Sequence, residues 1–498
     1  MSKSEKRNFR LYATRNSGEK ELKFLALFTA LDAQTEYDEA ALLQKVNGVN
    51  KRQLSNLKAH LYQQLLASLR LLYKRVGDLE LRELLDFATV LYEKGLFLQS
   101  LDQLAKARVL AIQRNRQSIL MEVLEFEKMI EARHITRSHA ERATELIQWG
   151  QETRSRYQAD EAWSDLALEM YGLYLRMGHV KNQTEYDYVE QYFLERLPQD
   201  STELSFFGEV YKAQAYVWCH FTLQNWRRCY RYAKRWVQLF LDHPKFQTLE
   251  LDLFIKGLHN LLSVLYYNMD RTRFYQYFAL LEEIVEERKE DFNENGRIYA
   301  FIYTELARIN MYFLEANFAE GVAAIPHIEQ ELVKYQDRVD EHRVFTFWYQ
   351  FACLYFAQGQ YREAIKYLQR IVNSPKLTLR EDIQVFARLL KLIAHYELGD
   401  RDHVDAQIRS VYRFLLKFEH MQDVQKAVMD FLKESVYMNR DELTPHFRKL
   451  QTRLETIAQN PYQRRPFLYL DLYTYLRTKI EGLSMEEAVK LRVSEGTY

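Results

Sequence analysis

The chain has 498 residues, 47% apolar and 28% charged, with 69 basic and 69 acidic side chains and no net charge. That length can bury a large core, and that composition excludes a disordered chain. Only 7 Pro and 15 Gly are present, too few for the many turns of an all-β fold and suited to long helices.

The three cysteines, Cys219, Cys229 and Cys353, are scattered and form neither a zinc spacing nor a secretory disulfide framework. Buried, reduced thiols are expected. The first 21 residues lack the apolar core of a signal peptide, and no apolar run reaches the length of a membrane span. The expectation is a cytoplasmic protein with no membrane partner. Charge is unevenly spread: residues 1–76 hold 14 Lys and Arg against 7 Asp and Glu. Such a basic head suits a nucleic acid or an acidic protein surface, although a solvated face of uneven charge explains it as well.

In chain order, residues 1–18 read as a loose basic arm. Amphipathic spacing predicts helices over Glu19–Ala33, from Glu36 through Val46, and over Lys51–Tyr73, with Asn47–Gly48 as a turn. A short helix, a turn and a longer basic helix loosely resemble a helix-turn-helix module. That resemblance would put Lys51, Arg52 and Lys58 where a recognition helix meets DNA. The leading reading is a three-helix cap, because a terminal unit of a repeat array needs its apolar face covered. The expected division is a head over 1–76, a repeat array over 77–480 and a charged tail over 481–498.

Hairpins begin at Leu84, with Phe87, Ala88, Leu91, Gly95, Phe97, Ser100, Leu104 and Ala107 at helical spacing. Two helices are expected over Ile119–Gln158, joined near Thr136–Arg137–Ser138. Another runs over Ala162–Met177, paired with one through Tyr186 and Phe193. Val210–Phe221 pairs with Trp226–Leu241, closed by Pro244. Leu251–Tyr267 pairs with Arg273–Arg288, and Tyr299–Leu314 with Phe318–Val333. Asp382–Tyr396 pairs with Arg401–Phe418 about Gly399. The last helices run over Gln422–Tyr437, Asp441–Ala458 and Pro466–Lys479, and Met485–Tyr498 is a charged tail.

The most regular unit is Phe345–Pro375. Trp348, Phe351, Ala352 and Tyr355 mark a first helix, Gly359 a turn, and Tyr361, Ala364, Leu368 and Ile371 a second helix, stopped by Pro375. The Leu84–Ala107 segment repeats this spacing about 260 residues away. The order of aromatic, small residue, Gly-x-Tyr turn, Ala and Pro resembles a tetratricopeptide (TPR) repeat. The aromatics opening the second helices, Trp226, Phe274, Phe318 and Tyr361, lie 48, 44 and 43 residues apart, whereas a TPR unit is about 34. These helices are longer than the family's. The resemblance implies an all-α, TPR-like α-solenoid, a right-handed superhelix of antiparallel helical hairpins. It also implies that first helices line a concave groove. The corresponding positions are Thr346, Tyr349, Cys353 and Phe356 in this unit, and Arg82, Leu85, Thr89 and Tyr92 in the first. The alternative is that some of them pack against a neighbouring repeat.

Motifs of bond chemistry are missing: no Gly-rich phosphate loop, no GxSxG and no HExxH. His134 and His139 flank a turn with no fixed geometry for a metal. Glu282, Glu283, Glu286 and Glu287 form a solvated acidic run. Arg227, Arg231, Lys234 and Arg235 form a cationic stripe opposite an apolar face of the same helix. The expectation is a non-catalytic scaffold for another protein or peptide, with no cofactor and no metal. The alternatives are a transcription regulator, whose head binds DNA while the repeats sense a ligand, and a self-assembling structural protein.

Overall fold

The computed structural model describes residues 1–14, 19–46, 49–74, 77–134, 140–199, 202–374, 381–417, 423–464, 467 and 470–495. Among the described residues the protein is all-α, with 24 α-helices, one 3-10 turn and no strand. No helix there is long and apolar enough to cross a membrane. The turn at Asn47–Gly48, the joint at Thr136–Ser138 with His139, the stop at Pro375 and the expected helix start at Pro466 lie outside the described residues.

The chain divides into two compact units, Met1–Tyr157 and Gln158–Tyr498. In the first unit, α1 (Lys3–Thr14), α2 (Glu19–Asp32), α3 (Glu39–Lys45) and α4 (Lys51–Leu72) enclose one core around Phe9, Phe24, Leu27, Leu42, Leu54 and Leu61. The expected loose arm is therefore a helix over Lys3–Thr14. Its basic residues flank a stripe of Phe9 and Ala13, both buried, and Phe9 meets Phe28 edge-on at 4.7 Å. Burying that stripe outweighs the repulsion of a few solvated cations. α5 (Leu79–Glu93), α6 (Phe97–Gln113) and α7 (Gln117–Arg133) share a second core around Leu81, Ala88, Leu104 and Val123.

α8 (Ala140–Met177) is one helix of 38 residues. A break before Ala162 was expected. Residues 158–161 are Gln-Ala-Asp-Glu, with no Gly or Pro to stop the backbone, and the helix continues through them.

In the second unit the helices pack in sequence. They are α9 (Gln183–Glu195), α10 (Phe206–Thr222), α11 (Trp226–Asp242), α12 (Pro244–Leu249), α13 (Leu251–Tyr267), α14 (Arg271–Glu287), α15 (Glu294–Glu315), α16 (Phe318–Lys334), α17 (Glu341–Ala357), α18 (Tyr361–Val372), α19 (Glu381–Glu397), α20 (Arg401–Lys417), α21 (Asp423–Ser435), α22 (Arg440–Ala458), α23 (Leu472–Glu481) and α24 (Met485–Ser494). Helices of a hairpin touch each other, and first helices also touch one unit on, α13 with α15, α15 with α17 and α17 with α19. This sequential pairing is consistent with a helical repeat. Two expectations change here. Pro244 does not close a hairpin: it sits at the first position of α12, where its missing N–H has no intrahelical partner to lose. The charged tail is α24, which buries Ala488 and Val489 and is capped by Ser484 with Glu487.

One turn recurs. Gly95, Asn115, Gln224, Met269, Ala316, Gly359 and Gly399 all have positive φ. The N–H after each donates to a carbonyl five residues back, as from Asn225 to His220 at 2.8 Å and from Gln360 to Tyr355 at 2.8 Å. This is the Schellman closure of a helix C-terminus. The hairpins α5–α6, α10–α11, α13–α14, α15–α16, α17–α18 and α19–α20 thus reverse by the same local geometry, and Ala364 is fully buried in the α17–α18 pair.

Candidate functional site

α13 is apolar on most of its surface. Its polar residues fall at Asp252, Lys256, His259, Asn260 and Ser263, steps of three and four that put them on one face. That face lines a cavity of about 2010 Å³ in the second unit. α10 contributes Gln214 and Trp218, α15 contributes Tyr299, Tyr303 and Asn310, and α17 contributes Arg343 and Gln350. The facing wall comes from the C-terminal segment: Tyr462, Asp471, Tyr475, Met485, Val489 and Arg492. Two contacts tie that segment down inside the unit. The Tyr462 hydroxyl donates to Gln183 Oε1 at 2.7 Å, and the Tyr475 ring lies 5.8 Å from Phe356. Tyr475 also donates to Glu397 at 2.6 Å, and Lys479 pairs with the same carboxylate.

Thr346, Tyr349, Cys353 and Phe356 all line this cavity. Tyr349 and Phe356 are nearly buried, while Thr346 donates to the His342 carbonyl at 2.9 Å. The four positions from the first repeat lie in the other unit and do not share one environment. Leu85 is buried in the core, so its side chain is taken up by packing. Arg82 is exposed and pairs with Glu122 at 2.5 Å. Thr89 is exposed and bonds back to the Leu85 carbonyl at 2.9 Å. Tyr92 is half-buried among Phe97, Phe126 and His134. In the head, Lys58 bonds the Tyr37 hydroxyl and, at 3.2 Å, Glu39, and Lys51 lies 3.8 Å from the same Glu39. Arg52 is exposed. In α11 the cationic stripe is exposed while Cys229, Ala233, Trp236 and Val237 are buried, as their spacing predicts.

Burial dominates the electrostatics of the cavity. It lowers the Lys256 ammonium, with Arg343 adding to the effect. It lowers His259 to about 3, with Arg343 and Lys256 contributing, so this imidazole is neutral at neutral pH. Burial raises Asp252, against a hydrogen bond from Asn293. It pushes the Cys353 thiol up to about 12, which keeps it protonated and unreactive. Arg343 pairs with Asp340, and its guanidinium lies 5.2 Å from the Tyr299 ring centre and 6.0 Å from that of Tyr303. Gln350 donates to Asn310 at 3.1 Å, leaving its Oε1 buried without a partner in the protein. Among the described residues no three His, Cys, Asp or Glu side chains converge as a metal site. The arrangement offers hydrogen bonds, several cationic side chains and aromatic rings.

The polar stripe of α13 escaped the sequence reading, although its period was visible. An apolar helix whose few polar residues share one face carries a signal as clear as an apolar stripe on a polar helix. No protein-family model matches the chain, and no curated protein matches it in sequence.

Proposed function

We propose that this chain is a non-catalytic scaffold, a TPR-like solenoid of right-handed superhelical hairpins whose first helices hold a peptide or a segment of another protein. The observation that carries the reading is the cavity itself. Thr346, Tyr349, Cys353 and Phe356, the positions that the resemblance to a TPR repeat implies are groove-facing, line it together with residues of α10, α13 and α15. Its volume, about 2010 Å³, exceeds the roughly 300–1,000 Å³ of a typical small-ligand pocket and suits a chain segment. Aromatic anchors with interspersed amide groups are the usual means of holding such a segment.

The test is an affinity pull-down with the full chain and with Tyr349→Ala plus Phe356→Ala, after circular dichroism has shown both folded. Partners held by the wild type should be lost from the double variant. If the same partners came down in the same amounts, this face would not be the binding site.

A further inference from the structure

Among the described residues that line the cavity, Arg343, Arg464, Arg477 and Arg492 each have a hydrogen-bond or ion-pair partner. Arg343 pairs with Asp340. Arg492 reaches Asp471 at 2.8 Å, and Arg477 is shared between Glu481 and Glu495. Arg464 donates to the Ala458 carbonyl at 2.9 Å. Lys256 lines the same cavity, half-buried, and among the described residues its ammonium has no carboxylate, hydroxyl or carbonyl partner. The nearest acid on its own helix, Asp252, is one turn away and turned toward the start of α15, where Asn293 donates to it at 3.4 Å. An ammonium taken partly out of water without a counter-charge costs free energy, and an incoming anion recovers it. Burial accordingly disfavours its charge, as the lowered pKa reflects.

The wall beside Lys256 is aromatic. His259 stacks on Tyr303 at 4.2 Å with the planes 14° apart, and Tyr299 continues the ladder at 5.8 Å and 15°. Neutral His259 and the two phenols form an aromatic wall, with the Arg343 guanidinium, paired to Asp340, 5.2 Å from the Tyr299 ring centre. Among the described residues, the half-buried Lys256 ammonium without a partner next to stacked rings matches one ligand chemistry.

We propose that Lys256 is the anion-binding centre of this cavity and that it takes a singly charged oxyanion carried beside an aromatic ring. This chemistry belongs equally to a free aromatic acid and to an acidic-aromatic stretch of a peptide. The inference rests on the cavity being the working face, and it can fail without touching the pull-down result, because it is read on a different residue with a different ligand.

The full chain is titrated by fluorescence with 8-anilinonaphthalene-1-sulfonate and with its uncharged parent, N-phenyl-1-naphthylamine. Lys256→Met should weaken the sulfonate by about tenfold or more, as loss of a charged hydrogen bond does, and leave the neutral probe unchanged. Lys256→Arg should restore the sulfonate. Equal sulfonate affinity in Lys256→Met and wild type would overturn the proposal. So would an equal loss of both probes, or failure of the wild type to bind the sulfonate. Competition then separates the sources: displacement by benzoate alone assigns a free acid, displacement by acetyl-Asp-Phe-amide assigns a peptide, and displacement by neither overturns the assignment.

Discussion

Gly208 and Gly296 each occupy the third residue of a first helix, α10 and α15, and each leaves room for a carboxylate from the preceding first helix. At α10 the guest is Asp160, which accepts from the Ser205 N–H at 2.9 Å. At α15 it is Asp252, beside the N-cap Asn293. A Cβ at Gly208 would run into the Asp160 carboxylate, with Leu204 3.1 Å away; at Gly296 it would run into Asp252, with Phe292 at 2.9 Å. An acidic group here also faces the positive end of the helix. Gly208→Ala should therefore cost about 1–3 kcal/mol through overpacking, seen as a lower urea midpoint. An unchanged midpoint would show that Asp160 moves aside freely.

His259 and His220 make a second residue-scale prediction. Burial is the first cause in both, lowering His259 to about 3 and His220 to about 4; Arg343 and Lys256 add to the first, and Arg228 to the second. The unfolded chain protonates each near pH ~6.5, so protonation favours unfolding. The stability these neutral rings contribute is present above that pH and is lost as pH falls through 6.5 toward 4 and 3. Each should contribute a slope of up to about 1.4 kcal/mol per pH unit in that window. Urea midpoints at pH 7.5 and 5.5 should differ in the wild type and converge in His259→Gln plus His220→Gln; an undiminished difference would assign the effect elsewhere.

At the scale of the element, periodicity was a good guide wherever a helix packs on its chain neighbour. The hairpins α10–α11, α13–α14, α15–α16 and α17–α18 lie where aromatic and small residues recur, and their boundaries agree within a few residues. The turns were less legible. Glycine announces them at Gly95, Gly359 and Gly399, but Gln224, Met269 and Ala316 take the same left-handed backbone with a side chain. Hydrogen bonds of the closing turn, and packing of the flanking helices, offset the steric cost there. At both ends of the chain a short apolar stripe lies within a charged helix, Phe9 and Ala13 in α1 and Ala488 and Val489 in α24. α24 also supplies Arg492 to Asp471 at 2.8 Å and precedes Glu495, which accepts from Arg477 at 2.7 Å. Truncation after Gly482 removes both pairs and should lower the thermal midpoint; an unchanged melt would mean that α24 adds no stability.

Across the whole molecule, the all-α class and the sequential hairpins were legible from the residues alone. These depend on interactions between residues close along the chain: few Gly and Pro, a 3.6-residue period, and small residues where paired helices touch. The α17 positions Thr346, Tyr349, Cys353 and Phe356 came from the resemblance to a TPR repeat, and they line the cavity. What stands opposite that face follows from contacts remote along the chain. Tyr462 reaches Gln183 across 279 residues, and Tyr475 comes to Phe356 from α23. Local periodicity records which side of a helix is covered and carries no record of what covers it. The same reason hid Lys256. Its burial, and its lack of a partner among the described residues, depend on helices remote in sequence, as does the turn of Asp252 toward Asn293.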